Sequence, residues 1–284
     1  MYDADPSVRK RAVLIGVAYQ PRRRGNSGPA LRCTHEDIRA FEKMLKERSF
    51  ESVVMLDQRG HPEMLQPRRP NILRELALLV QSARAGDRLV VCFSGHGKQL
   101  PTRDADEDDG QDEHIIPQDW EQGGIISDNM LNRLLVAKLP EGVRLLVIVD
   151  ACHSGTILDL RYNWFVRGNM PGVLSPKHYP PLSFSEVLME HIGFWRERRS
   201  QVLCMSASRD ANRAFEKKKC SYIRFLLTAY GQDKEITIRS LVHRIIDNLR
   251  AHLGGDVTEA EMQRPQISSN DPYFDLDARL AEFL

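Results

Sequence analysis

The chain has 284 residues, with 40 Lys and Arg against 39 Asp and Glu, a formal net charge of +1, and 42% hydrophobic residues. This balance gives no global reason to expect nucleic-acid binding, and runs such as RLLVIV at Arg144–Val149 exclude disorder along the whole chain. No apolar stretch approaches the roughly 18 residues of a membrane helix, and the opening MYDADPSVRKR has no signal-peptide core.

Taken from the N-terminus, residues 1–10 read as a short extension. Short, fully apolar runs then alternate with longer periodic segments. The runs Ala12–Tyr19, Ser52–Leu56, Leu89–Phe93, Leu145–Val149 and Val202–Ser206 predict strands buried on both faces, as in a parallel sheet. Helical patterns fall at Glu36–Arg48, at Asn71–Ala85 after Pro70, and at Asp128–Ala137. The acidic stretch Lys98–Asp119 reads as a loop carrying too much charge to be buried. Asn163–Pro181, rich in Gly, Pro and aromatics, reads as an extended surface connection. Helices near Tyr222–Tyr230 and at Ile238–Leu253 follow, and a last strand near Pro265–Ser269. The order predicts an α/β fold, a central and mostly parallel sheet with helices on both faces. About 150 residues per domain would admit one large domain or two small ones. The segments divide it into a large part at 11–165, an extended connection at 166–200 and a small part at 201–284. Five scattered cysteines (Cys33, Cys92, Cys152, Cys204 and Cys220) form no CxxC pair. They argue against a disulfide framework or zinc ribbon and for a reducing compartment, here the cytoplasm.

In such sheets reactive groups gather beyond the carboxyl ends of strands. The third strand runs into Ser94-Gly95-His96-Gly97 and the fourth into Asp150-Ala151-Cys152-His153-Ser154-Gly155. Period-two alternation puts Ser94 with His96, and Asp150 with Cys152. If the two strands are neighbours, one rim collects a hydroxyl, an imidazole, a carboxylate and a thiol. A nearby imidazole can take the proton of a thiol, and the amides of Gly97 and Cys152 can donate to an oxyanion, so the set suits nucleophilic acyl transfer. Neither GxxxxGK[ST] nor GxGxxG is present to support a phosphate or dinucleotide site.

FSGHG (Phe93–Gly97) followed by DACHSGT (Asp150–Thr156) resembles the catalytic pair of type I metacaspases, caspase-like cysteine peptidases. VLIGVAY, LRCTHEDI (Leu31–Ile38), EDDGQDEHIIPQD (Glu107–Asp119), LPEGVRL (Leu139–Leu145) and LDLRY (Leu158–Tyr162) match further family blocks in order. The resemblance implies a caspase-like three-layer sandwich with p20-like and p10-like parts. It implies a monomer acting on protein or peptide substrates, with Cys152 as nucleophile and His96 as general base. It also implies cleavage after Arg or Lys, in an S1 pocket built from Asp37, Ser94 and Asp150, whose carboxylates would favour a cation. Thr34 stands where the family often has cysteine. The family's calcium positions match Asp112, Ser127, Asp128 and Asp159, with Ser127 replacing an aspartate and weakening the expected site. An EF-hand does not fit, since Asp109 falls where Gly is needed. Basic residues Arg22–Arg24, Arg161, Arg167 and Lys177 are candidate self-cleavage positions. A non-catalytic caspase-like scaffold is the rival reading, and a Cys–His hydrolase of other specificity a second.

Overall fold

The computed structural model describes residues 8–19, 30–102, 111–166, 174–176, 200–207, 221–253, 265–271 and 274–284. Residues 1–7, the run Arg22–Arg24, positions 103–110, Arg167, Lys177 and Cys220 lie outside them.

The expected apolar runs form parallel strands β1 (Lys10–Gly16), β2 (Glu51–Leu56), β3 (Arg88–Ser94), β7 (Arg144–Asp150) and β10 (Gln201–Ser206). They lie in the order β2-β1-β3-β7-β10. Antiparallel strands β11 (Gln266–Ser269), β8 (Tyr162–Val166) and β9 (Leu174–Pro176) extend the sheet beyond β10. Alternation explains why the parallel strands are apolar throughout. Ala12, Leu14, Val90, Cys92, Leu146 and Ile148 enter one core, and Val13, Ile15, Leu89, Val91, Leu145 and Val147 the other.

Helices cover both faces. The first core is closed by α1 (Thr34–Lys46), through Ile38, Phe41 and Leu45, and by two later helices. On the opposite face lie α2 (Arg69–Gln81) and α4 (Asp128–Leu135), with a short α3 at Trp120–Gly123 between them. Pro70 stands in the first turn of α2, where its missing N–H removes no helical bond. The later helices are α5 (Tyr222–Gln232) and α6 (Ile238–Leu253), whose apolar faces join α1 over the sheet. Among the described residues no helix is long and apolar enough to cross a membrane.

Two stretches differ from the sequence reading. The acidic stretch is not simply a loop. Its ends form β4 (Gly97–Pro101) and β5 (Gln111–Ile115), which pair antiparallel and build a small sheet with β6 (Ile126–Ser127). Nor is all its charge exposed. Glu113 is fully buried because Gln99 Nε2 donates to its Oε1 at 2.8 Å and the Thr156 hydroxyl donates to its Oε2. The expected surface connection likewise contributes β8 and β9, since its backbone finds a partner in β11, remote in sequence.

Candidate active site

The register of the large sheet sets the site. Ser94 ends β3 directly opposite Asp150, which ends β7, so the two following loops leave the same rim side by side. Gly95 N–H donates to the Asp150 carbonyl at 3.2 Å. Gly97 then runs against the second loop so closely that a Cβ there would lie 2.0 Å from the Cys152 carbonyl oxygen. Only glycine permits this approach. The segments bearing His96 and Cys152 are therefore in backbone contact, as are those bearing the two candidate oxyanion amides, Gly97 and Cys152.

His96 is held from three sides. Its N–H donates to the Tyr19 hydroxyl at 2.9 Å, and its carbonyl accepts from Ile116 N–H at 3.1 Å. Its ring stacks on Tyr19, with centroids 4.5 Å apart and planes 29° apart. Tyr19 is buried at φ +53°, and its hydroxyl donates to the Ile116 carbonyl at 2.6 Å. The strained turn is pinned by Asp57, whose carboxylate accepts from the N–H groups of Ala18 and Tyr19 at 2.7 and 2.8 Å and faces His35 Nε2 at 2.6 Å. Burial alone would raise the Asp57 carboxyl, but His35 and these two amides hold it below the usual carboxylate range.

Among the described cysteines Cys152 alone is partly exposed; Cys33, Cys92 and Cys204 are buried, and none is in a disulfide. Burial, with the charges of Asp150 and Asp37 nearby, pushes the Cys92 thiol well up, and burial pushes Cys204 up to about 12. Both are inert as nucleophiles. Next to Cys152, His153 adopts φ +50°, and Ser154 Oγ donates to the Ala151 carbonyl at 3.0 Å.

The three expected pocket residues are buried at this rim: Ser94, Asp150 and, in the first turn of α1, Asp37. Both aspartates meet the start of α5. Asp150 Oδ2 accepts from Ile223 N–H at 3.3 Å, and Arg224 Nη2 lies 3.0 Å from Asp37 Oδ1. Burial raises the Asp37 carboxyl, against the opposing pull of Ser221 and Arg224.

The expected calcium residues are brought together in part. β5 carries Asp112, and its neighbour β6 ends at Ser127, which caps α4 by accepting from Met130 N–H at 3.3 Å. Asp128, fully buried, accepts from Glu113 N–H at 2.6 Å and Asn129 N–H at 2.5 Å. Asp112 Oδ1 is buried without a hydrogen-bond partner, and its charge adds to burial in raising the Asp128 carboxyl. Asp159, at φ +45°, lies in the loop after Cys152, tied to α4 where Asn132 Nδ2 donates to the Leu158 carbonyl at 2.7 Å. No three His, Cys, Asp or Glu side chains among the described residues converge as a metal cage. Two neighbouring carboxylates, one with an unpartnered oxygen, and a hydroxyl fit a hard cation that completes its shell with carbonyls and water.

Tyr19, Asp57, His35, Glu113 and Arg224 were missed by the sequence reading. Tyr19 had a signal, since it ends the first apolar run at the rim where the other strands place their reactive groups. The others meet their partners only through tertiary structure.

A family model for the metacaspase, peptidase C14 domain matches residues 10–161. Metacaspase-1 of Coccidioides immitis is 41% identical over 165 residues, 56% of this chain and 34% of that protein. Metacaspase-1B of Aspergillus clavatus is 30% identical over 298 residues, 93% of this chain and 70% of that protein. The match with the Coccidioides relative thus spans only about a third of that protein's length. In fold, the molecule is similar to protein GSU0716 of Geobacter sulfurreducens, with a TM-score of 0.62 over 96% of this chain and 98% of that one, at 19% identity.

Proposed function

Since the chain belongs to the metacaspase family of C14 peptidases, we propose that it is a cysteine endopeptidase cleaving after Arg or Lys. The observation that carries this reading is the backbone contact between Gly97 and Cys152, which brings the segment bearing a partly exposed thiol against the segment of His96, whose ring stacks on Tyr19. In the proposed mechanism His96 takes the Cys152 thiol proton, and the thiolate attacks the scissile carbonyl. The amides of Gly97 and Cys152 donate to the oxyanion. Imidazolium His96 then protonates the leaving amine, and water deprotonated by His96 releases the acyl group from Cys152. Ser94, Asp150 and Asp37 would receive the P1 cation.

Asp112, Ser127, Asp128 and Asp159 would hold calcium, whose charge would relieve repulsion between neighbouring carboxylates. Ser127 in place of a carboxylate would make that site weak. We also read the protein as a cytoplasmic monomer able to cut its own chain, Arg161 being an exposed candidate position.

Hydrolysis of fluorogenic peptides ending in Arg, Lys, Asp or Asn, with calcium or with chelator, tests the reading on wild type and Cys152→Ala. Turnover selective for Arg and Lys and absent in Cys152→Ala is expected, with a lower rate in chelator and a blunted calcium response in Asp112→Asn. Turnover of Asp- or Asn-ended peptides alone would point to a Cys–His hydrolase of other specificity. A folded wild type with no turnover under any condition would sink the peptidase reading and favour the scaffold.

A further inference from the structure

The start of α5 stands between the two pocket carboxylates. Its Ile223 N–H serves Asp150, while the guanidinium of Arg224 pairs with Asp37, the partner side chains being 39% and 1% exposed. A second carboxylate, Glu36, approaches the same guanidinium at 3.9 Å. Asp37 thus already has a cation in the free protein, one supplied by the chain itself. That cation is on a long, partly exposed side chain. Its backbone position is held by the cap, Ser221 Oγ accepting from Arg224 N–H at 3.1 Å. The side chain can therefore rotate towards solvent without α5 moving.

We propose that Arg224 is a specificity-determining residue, an internal guanidinium that occupies Asp37 and that the basic P1 side chain must displace. The inference deepens the reading of a basic P1 pocket and rests on it. Displacement costs the same ion pair whichever basic residue enters, and nothing for a neutral side chain that leaves Asp37 alone. Arg224 therefore narrows the margin by which basic substrates exceed neutral ones, and it raises KM for the basic ones.

The test measures kcat and KM for wild type, Arg224→Gln, Asp37→Asn and the double variant on peptides ending in Arg, Lys or Gln. Arg224→Gln is expected to lower KM for the Arg and Lys peptides about three- to fivefold, the worth of a partly exposed ion pair. The Gln peptide should gain less. In the Asp37→Asn background the gain should vanish, because the pair is already broken. Arg224→Ala should change KM in the same direction, and thermal melts establish that each variant is folded. An unchanged or raised KM for the Arg peptide in Arg224→Gln, or an equal gain without Asp37, overturns the proposal. A wild type that cleaves Asp-ended but not Arg-ended peptides removes the basic pocket itself. Retained Arg preference with a flat KM removes only the role of Arg224.

Discussion

A methyl group at position 97 would meet the Cys152 carbonyl at 2.0 Å, and the atom in the way is backbone. Gly97→Ala should therefore cost about 1–3 kcal/mol as overpacking and lower peptide turnover by separating the two loops, checked by urea unfolding beside kcat. Tyr19→Phe keeps the ring on His96 but leaves the His96 N–H and the Ile116 carbonyl without the hydroxyl that serves both. The expected cost is about 1–3 kcal/mol, with a fall in kcat larger than any change in KM. Asp57 gives the acid limb of stability. Its folded carboxyl lies below its unfolded value, so its contribution is present above about pH 4 and lost as pH falls through the folded value. Melting midpoints measured between about pH 6 and 3 should drop less steeply for Asp57→Asn than for wild type.

At the scale of elements, the small sheet is fastened to the loop after Cys152 through one side chain. Buried Glu113 accepts from Gln99 of β4 and from Thr156, while its N–H donates to Asp128 at the start of α4. Glu113→Ala should cost about 1–3 kcal/mol, because Gln99 and Thr156 lose the carboxyl oxygens that accept from them. It should also lower kcat, and a melt compared with the hydrolysis rate separates the two effects. This feature also marks where the sequence stopped being legible. β1, β3, β7 and β10 were readable because strands buried on both faces must be apolar, whatever packs on them. β5 was not, because its glutamate is buried by virtue of partners contributed by β4 and the Cys152 loop. β8 was lost for a related reason: its register, Trp164 opposite Ile267, is dictated by a strand near the far end of the chain. The candidate pair His96 and Cys152 was legible because both follow directly from strand ends, whereas Arg224 on Asp37 depends on how α5 meets α1.

For the whole molecule, the family match ends at residue 161, but the fold does not. β7 is an interior strand, with Leu146 opposite Leu203 and Ile148 opposite Met205 of β10. The apolar face of α1 is completed by α5 and α6. The end of the chain also reaches back, with Arg88 and Arg144 donating to the carbonyls of Leu284 and Glu282 at 2.8 and 3.0 Å. A fragment of residues 1–165 would expose a sheet edge and one face of its core. It is expected to aggregate or remain unfolded, as sedimentation and far-UV circular dichroism would show. The candidate pocket follows the same rule, since α1 and β7 supply its aspartates and α5 closes it.

The stack of Tyr19 on His96, with ring centroids 4.5 Å apart, carries its own spectroscopic label. An aromatic ring current shields protons lying over its face, so the carbon-bound protons of the His96 imidazole should resonate upfield of ordinary histidine signals. One proton spectrum therefore tells whether the His96 loop is seated, without substrate or turnover. A variant altered only at the candidate nucleophile, such as Cys152→Ala, becomes distinguishable from one expected to displace the loop, such as Gly97→Ala.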